Sequence, residues 1–220
     1  FKKIINIEGD KSLSIRWALL ASQSTGKSTS FNLLRSEDVI STLSSLKKLG
    51  VKVKLLNNRC EIIGVGLNGF KYKNNTTLNC GNSGTFARLI LGLLVHSNKR
   101  IKLIGDRSLS KRDFKRITEP LEKFGATFKS KSGKLPIVVK GTKNVNPIFY
   151  HEKKGSAQCK SSVMLAALNT KGKTIIKAKK SRNHTELLYK YLKLPIKISK
   201  KKKLWFDRSK WSKKSKTFDI

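Results

Sequence analysis

Three short polar segments of this 220-residue chain have the residue types of anion-binding sites. Each combines small or hydroxyl-bearing residues with a cation a few positions later, and each opens an apolar segment. The segments are Gly9-Asp10-Lys11-Ser12 followed by Arg16, Cys80-Gly81-Asn82-Ser83-Gly84-Thr85 followed by Arg88, and Gly155-Ser156-Ala157-Gln158 followed by Lys160. Free backbone N–H groups at a helix start attract anions, and hydroxyls and cations strengthen that attraction. Ordinary N-capping explains any one segment, but three at matching positions of a repeat favour one shared site for a small polyanion.

A fourth segment resembles a nucleotide-binding loop but lies in the wrong context. Residues 21–28 read ASQSTGKS, which fits the looser A-x-x-x-x-G-K-S form of a P-loop. A P-loop must follow a strand and open a helix, so that the helix N–H groups point at phosphate. Here the preceding residues are predicted to be helical and the following ones to form a strand. The reversed order disfavours an NTPase.

The elements that must position these segments recur three times along the chain. Each copy is predicted to contain an apolar helix, a strand, a second helix and a β-hairpin. The predicted elements are helix 12–21, strand 28–33, helix 36–49 and strands 51–56 and 60–65; helix 84–95, strand 100–104, helix 112–124 and a hairpin through Ser132-Gly133; helix 156–168, strand 173–177, helix 184–192 and a hairpin ending near Phe206. The fold class is therefore α/β, with three repeated β/α units.

The two helices of each copy differ in polarity. The first helix is apolar nearly all round, as in Trp17-Ala18-Leu19-Leu20-Ala21, whereas the second carries a single apolar stripe. A helix without a polar face belongs in an interior. We therefore expect the three first helices, around Leu19, Leu91 and Leu165, to pack together at the centre, with the hairpin sheets outside.

The charge of the chain raises a competing function. There are 49 Lys and Arg against 13 Asp and Glu, for a formal charge of +36. Such a surplus favours a polyanionic partner, and residues 200–216 interleave basic residues with Trp205, Phe206 and Trp211, a pattern suited to single-stranded nucleic acid. However, the lysines are spread over the whole chain, which is more typical of a solvated surface. A nucleic-acid partner is therefore disfavoured, and a basic non-catalytic nucleic-acid-binding protein remains the alternative of a different class.

Composition also indicates the cellular compartment in which the protein is expected. No apolar stretch approaches the roughly 20 residues that a membrane-spanning helix needs, so no membrane partner is expected. The three cysteines, Cys60, Cys80 and Cys159, are odd in number and form no CxxC pair. This pattern is typical of reduced thiols in the cytoplasm. The three histidines are scattered and indicate no metal site.

Five motifs together resemble one enzyme family. They are GDKSLSIR (residues 9–16), LNCGNSGT (78–85), GDRSLSKR (105–112), SAQCKSS (156–162) and SRNHTE (181–186). The chain resembles the N-terminal half of EPSP synthase (3-phosphoshikimate 1-carboxyvinyltransferase). The resemblance implies one half of an inside-out α/β barrel, the enolpyruvyl transferase fold. It also implies a strand at residues 1–10 that contributes to a missing C-terminal domain. A domain of three units at 11–72, 73–150 and 151–216 follows, with a crossover at 217–220.

The resemblance also implies a reaction and a set of ligands. Family members transfer the enolpyruvyl group of phosphoenolpyruvate to the 5-hydroxyl of shikimate 3-phosphate, without a cofactor or metal, in aromatic amino acid biosynthesis. Shikimate 3-phosphate would be bound by Lys11, Ser12, Arg16, Ser156, Gln158 and Ser181. Phosphoenolpyruvate would be bound by Lys11, Asn82, Gly84, Arg112 and Gln158. The family's proton-transferring carboxylates would lie beyond Ile220, so we assign no catalytic residue and expect the chain alone to be inactive. The complete enzyme would be a cytoplasmic monomer.

The other enzyme of this superfamily is a weaker match. The UDP-N-acetylglucosamine enolpyruvyl transferase carries a reactive cysteine in the loop that corresponds to residues 105–112. This chain has no cysteine there. That enzyme remains the alternative within the superfamily.

Overall fold

The computed structural model describes residues 8–199 and 203–207, and it contains three units of similar construction. The first unit comprises α1 (Lys11–Ser22), β1 (Lys27–Phe31), α2 (Glu37–Lys48), β2 (Lys52–Leu55) and β3 (Arg59–Ile63). The second comprises β4 (Thr76–Asn79), α3 (Gly84–Leu94), β5 (Arg100–Ile104), α4 (Arg107–Ser110), α5 (Lys115–Glu122), β6 (Thr127–Lys131) and β7 (Lys134–Lys140). The third comprises β8 (Phe149–Glu152), α6 (Ala157–Ala167), β9 (Lys173–Ala178), α7 (His184–Tyr191), β10 (Ile196–Ile198) and β11 (Lys203–Asp207). The predicted repeat of helix, strand, helix and hairpin is confirmed.

Several sequence predictions lie outside the described residues. Residues 1–7 of the predicted N-terminal strand are among them, and residues 8–10 form no strand. The side chains of Lys200–Lys203, the basic residues at 208–216 and the crossover at 217–220 also lie outside. These points stay predictions. The third unit begins with β8 at Phe149, slightly before the predicted boundary at residue 151.

Each unit has its own sheet, and two of the sheets contain a strand that the sequence analysis missed. The strand orders are β1-β3-β2, β4-β5-β7-β6 and β10-β11-β9-β8. The missed strands β4 and β8 pair in parallel with β5 and β9. They are four residues long, and a parallel partner beyond a helix leaves no local turn signal in the sequence. Because α3 follows β4 and α6 follows β8, these strands fix where the helix starts lie.

The hairpin of the second unit shows how the local sequence sets a turn. Lys131 and Lys134 are paired, so Ser132-Gly133 forms a two-residue loop. Both loop residues have positive φ, 52° and 72°. Such a turn matches the twist of antiparallel strands and favours glycine at its second position. The predicted hairpin is confirmed.

The predicted helix at residues 112–124 is wrong in its first turn. The structure has the short α4 up to Ser110 and starts α5 only at Lys115. The backbone N–H of Arg112 donates to the carbonyl of Leu109, and the Asp113 carboxylate accepts from the N–H of Lys115 at 2.8 Å. These bonds close α4 and open α5 separately. Arg112 therefore lies in a turn between two helices.

The three apolar helices form the core, as predicted. Leu19 and Leu91 are fully buried and Leu165 is 2% exposed. Helix α3 packs against α6 and also contacts α1. At Gly92 in α3, an added Cβ would lie 2.2 Å from the backbone oxygen of Ser162 in α6, so the two backbones approach closely there because glycine lacks a side chain.

No helix within residues 8–199 is long and apolar enough to cross a bilayer. All three cysteines are buried and unpaired. Burial raises the pKa of the Cys60 thiol to about 11 and that of Cys80 to about 12, so both thiols stay protonated near neutral pH.

Candidate anion-binding site

The three inner helices begin with equivalent capping bonds. The side chains of Asp10, Ser83 and Ser156 each accept a hydrogen bond from the backbone N–H three residues later, at 2.7, 3.2 and 3.2 Å respectively. The capping explanation therefore holds for these three residues. The other polar residues of these segments make hydrogen bonds to residues elsewhere in the chain, and these residues form two clusters.

The first cluster surrounds Arg16, and we call it the Arg16 cluster: Ser12, Arg16, Ser161, Arg182 and Thr185. Arg16 is only 4% exposed. Its Nε donates to Thr185 Oγ1 at 2.9 Å, and its Nη2 lies 3.5 Å from Ser161 Oγ. Its Nη1 donates to the carbonyl and to the hydroxyl of Ser12. One guanidinium thus joins α1 of the first unit to α6 and α7 of the third.

The electrostatics of the Arg16 cluster favour an anion. Burial, and to a smaller extent the neighbouring positive charge of Arg182, lowers the pKa of Arg16 to about 10. Glu186 and Asp10 oppose this effect. A buried cation beside a second cation is destabilised unless negative charge is supplied. A bound phosphate or carboxylate would supply it.

Ser181 precedes Arg182 of this cluster in the chain and carries a further hydroxyl. Its Oγ is buried and has no hydrogen-bond partner among the described residues. Most buried polar atoms in proteins are hydrogen-bonded, so an orphan hydroxyl needs an explanation. Ser181 also borders a cavity of about 310 Å³ between the end of β9 and α7. The predicted ligand Ser181 is thus able to donate to a bound molecule without giving up a bond to a described residue.

Lys11 lies apart from the Arg16 cluster in this structure. Its Nζ forms an ion pair with Asp38 Oδ2 at 2.8 Å, and 52% of its side chain is exposed. Such surface pairs are worth only about 0–1 kcal/mol. A bound anion can therefore compete with Asp38 for Lys11 at small cost.

The second cluster surrounds Arg112, and we call it the Arg112 cluster: Asn82, Gly84, Arg88, Arg112 and Gln158. Arg112 Nη2 donates to Asn82 Oδ1 at 2.9 Å, and Asn82 Nδ2 donates to Asp106 Oδ2 at 2.7 Å. Asp106 also caps α4 through the N–H of Leu109. The chain of bonds from the α4 cap fixes the position of Arg112 although that residue lies in a turn.

Gly84 leaves room for two guanidinium groups. An added Cβ would lie 2.7 Å from Arg88 Nη1 and 2.9 Å from Arg112 Nη1. Both distances are shorter than real Cβ contacts, so a side chain here would displace one of the two arginines. The family resemblance assigned this glycine to the binding of phosphoenolpyruvate. The structure gives it a further role, which is to seat Arg88 and Arg112.

Arg88 is a site residue that the sequence-based ligand assignment missed. Its Nη1 donates to Gln158 Oε1 at 3.0 Å, and its guanidinium lies over the Phe114 ring, 5.1 Å from the centroid. Gln158 Nε2 in turn donates to Thr85 Oγ1 at 3.1 Å. Burial, followed by the charge of Arg112, lowers the pKa of Arg88. Its sequence signal was that it follows a small polar segment by a few residues, as Arg16 does.

One turn of α6 links the two clusters. Gln158 belongs to the Arg112 cluster and Ser161 to the Arg16 cluster, and residues three apart on a helix are neighbours. Ser156 begins the same turn, and its backbone N–H donates to Glu152 Oε2 at 2.8 Å. Lys160, which the sequence analysis grouped with the anion-binding cations, instead pairs with Glu186 at 2.5 Å. Six of the nine predicted ligands belong to one of the two clusters. The other three do not: Lys11 pairs with Asp38, Ser156 bonds to Glu152 and Cys159, and the Ser181 hydroxyl has no described partner.

The fold and these clusters define a class: an α/β domain of three repeated units that presents two linked cationic clusters at the starts of its inner helices. A family model described as EPSP synthase (3-phosphoshikimate 1-carboxyvinyltransferase) matches residues 1–214. The chain therefore belongs to the EPSP synthase family. The predicted family and fold class are both confirmed.

Individual relatives agree with this assignment. A 3-phosphoshikimate 1-carboxyvinyltransferase of Ruthia magnifica subsp. Calyptogena magnifica is 43% identical over 199 residues, which are 90% of this chain and 46% of that protein. Its counterpart in Streptococcus agalactiae is 42% identical over 188 residues, covering 84% of this chain and 44% of that protein. The solved EPSP synthase from Acinetobacter baumannii superimposes with a TM-score of 0.86 at 31% identity, covering 92% of this chain and 46% of that one. The chain spans about half the length of the relatives it matches.

Proposed function

We propose that this chain supplies the shikimate 3-phosphate-binding half of an enolpyruvyl transferase. In the complete enzyme, the enolpyruvyl group of phosphoenolpyruvate passes to the 5-hydroxyl of shikimate 3-phosphate, with release of phosphate. The observation that carries the proposal is the pair of cationic clusters joined by one turn of α6, because the reaction brings together two phosphorylated substrates. Charge-assisted bonds from guanidinium groups are suited to both.

The two clusters divide the substrates between them. Ser12, Arg16 and Ser181 bind the phosphate of shikimate 3-phosphate, with Ser156 and Gln158 toward its ring. Asn82, Gly84 and Arg112 border phosphoenolpyruvate, with Gln158 shared. Lys11 exchanges Asp38 for substrate phosphate and reaches both ligands. The support is that Arg16 and Arg88, one in each cluster, both have a lowered pKa that negative charge would offset.

We assign binding and positioning to this chain and no proton transfer. The acid and base of the reaction belong to the remaining half of the family's length. We expect the 220-residue chain alone to give no turnover with both substrates present, while retaining weak affinity for shikimate 3-phosphate. In the complete enzyme we place the protein in the cytoplasm as a monomer, and the three unpaired buried cysteines support that compartment.

The sharpest test uses Ser181, because its hydroxyl bonds to no described group. Replacing Ser181 by Ala removes an orphan buried hydroxyl, so the free energy of unfolding should stay equal or rise. Loss of a hydrogen bond to a charged phosphate should weaken shikimate 3-phosphate binding by about 1.5–3 kcal/mol, or roughly 10- to 150-fold. Calorimetric titration of the 220-residue chain measures the affinity.

Ser28 provides a matched control. Its Oγ is also buried without a described partner, but it lies in β1 of the first sheet. Ser28→Ala should therefore bind shikimate 3-phosphate like the wild type. Equal binding by wild type and Ser181→Ala would remove Ser181 from the site, and turnover by the chain alone would refute the assignment of acid and base to the other half.

A further inference from the structure

The ion pair between Lys160 of α6 and Glu186 of α7 is the most deeply buried one in the described part of the chain. Lys160 is 4% exposed and Glu186 is 6% exposed, and Lys160 Nζ lies 2.5 Å from Glu186 Oε1. Burying two charges is costly, and replacing such a pair by apolar residues is often neutral or stabilising. Stability alone is therefore a poor explanation for its presence, and its position suggests another.

Lys160 also contacts the segment that leads into α7. Its Nζ lies 3.2 Å from the carbonyl oxygen of Arg182 and donates to it. The neighbouring residue Ser181 carries the orphan hydroxyl. Lys160 thus holds two points of residues 181–186: the backbone at Arg182 and the carboxylate at Glu186.

The same segment is held from its other side by Arg16. Thr185 Oγ1 accepts from Arg16 Nε at 2.9 Å and shares a 2.7 Å hydrogen bond with Ser161 Oγ. Glu186 also acts on Arg16 electrostatically, since its negative charge raises the pKa of that guanidinium. Residues 181–186 are therefore clamped between two buried cations, Arg16 from α1 and Lys160 from α6.

We propose that the Lys160–Glu186 ion pair is a positioning device for the phosphate subsite, which holds Ser181, Arg182 and Thr185 in register with Arg16. This inference rests on the proposed function for the identity of the ligand. Lys160 is a positioning residue: its charge is neutralised by Glu186, and it acts through the segment it fixes. Its removal loosens residues 181–185 and leaves Glu186 free to attract Arg16.

The test measures the segment and the ligand separately. In Lys160→Met, amide hydrogen exchange of Leu187, whose N–H donates to the carbonyl of Asn183 within this segment, should accelerate at least tenfold. Calorimetry should show a 5- to 30-fold loss of shikimate 3-phosphate affinity. Lys160→Arg keeps the charge and the donors, so it should recover most of both properties. Lys48→Met is the matched control, because Lys48 also donates from Nζ to a backbone carbonyl, that of Thr77 at 3.2 Å, but from an exposed position in the first unit. It should change neither property.

A positional role also predicts coupling with Ser181. In the Lys160→Met background, Ser181→Ala should cost less affinity than in the wild type, because the hydroxyl is already misplaced. A purely structural cross-link would give additive losses, and that result would overturn the inference. If Lys160→Met does not fold, Glu186→Gln takes its place in both measurements.

The outcomes separate this inference from the proposed function. Unchanged exchange at the Leu187 amide in a folded Lys160→Met or Glu186→Gln protein refutes the positioning role, whatever binds. Accelerated exchange in a chain whose wild type has no affinity for shikimate 3-phosphate refutes the proposed function and leaves the clamp standing.

Discussion

At the scale of single residues, the positions of the arginines in the site are set by the residues around them. Gly84 illustrates this, since a methyl group there would meet the guanidinium nitrogens of Arg88 and Arg112 at 2.7 and 2.9 Å. The guanidinium groups of Arg88 and Arg112 thus lie close together beside a residue that has no side chain. The absence of a side chain at Gly84 allows both cations to lie beside one ligand.

Gly84→Ala should therefore displace Arg88 or Arg112. The atoms that the methyl group would meet are the far ends of flexible side chains, so the cost should lie near or below the lower end of the roughly 1–3 kcal/mol that overpacking of a tight site brings. Arg112→Met removes one of the two groups that the methyl would meet, so the cost of Gly84→Ala should fall by about half or more in that background. Urea unfolding of the two single variants, the double variant and the wild type measures this coupling. An equal cost of Gly84→Ala in both backgrounds would show that the methyl group acts elsewhere.

The types of the site residues were predictable from local motifs, whereas their partners were not. The motifs brought Arg16, Arg112 and Gln158 to attention, but Arg16 Nε bonds to Thr185, 169 positions away. Lys160 looked like a free cation in the sequence because its counter-ion Glu186 belongs to another helix. Long-range pairing decides which cations are available to a ligand, and no local pattern encodes it.

At the scale of elements, periodicity and turn residues predicted most helices and hairpins, and the failures have local causes. The strands β4 and β8 have four residues each and pair in parallel, so neither alternation nor a tight turn marks them. The helix predicted at 112–124 conflicts with Asp113, whose carboxylate accepts a hydrogen bond from the N–H of Lys115, the first residue of α5. Both errors fall beside the site, where these elements set the helix starts and the turn of Arg112.

At Gly92, where α3 closely contacts α6, helix propensity and packing predict opposite effects of Gly92→Ala on stability. Helix propensity alone predicts that Gly92→Ala stabilises a helix interior by roughly 1 kcal/mol. Packing predicts the opposite, because the new Cβ would lie 2.2 Å from the Ser162 backbone oxygen and would force the helices apart, at a cost of about 3 kcal/mol. Thermal and urea unfolding decide between them. A stabilised Gly92→Ala protein would mean that the two helices adjust freely.

Displacement of these helices should also reach the site. Arg88 lies on α3 and Gln158 on α6, and they are joined by a 3.0 Å hydrogen bond. If Gly92→Ala remains folded at low temperature, its affinity for anions at the Arg112 cluster should therefore fall together with its stability.

At the scale of the whole molecule, the chain combines a formal charge of +36 with two cationic clusters at one set of helix starts. General self-repulsion is relieved by any salt, because mobile ions screen exposed charges. A specific anion-binding site instead stabilises the protein to a degree that depends on which anion is present. The two effects can therefore be separated at constant ionic strength.

Phosphate should raise the melting temperature of this chain more than sodium chloride of equal ionic strength. A ligand that binds only the native state stabilises it by RT ln(1 + [L]/Kd), about 2.7 kcal/mol at a hundredfold excess over Kd. Burial and then the charge of Arg182 lower the pKa of Arg16 to about 10, so an anion bound beside this guanidinium would offset a disfavoured positive charge. Between pH 6 and 8 that guanidinium is charged in both the native and the unfolded chain. The additional rise in melting temperature in phosphate, compared with chloride, should therefore not vary with pH through titration of Arg16.

Calorimetric melting of the wild type, Ser181→Ala and the Ser28→Ala control in the two salts measures this additional rise. The extra rise in melting temperature in phosphate should shrink in Ser181→Ala and persist in Ser28→Ala. If phosphate and chloride raise the melting temperature of the wild type equally, the positive charge acts only by general repulsion at the surface and forms no specific anion site.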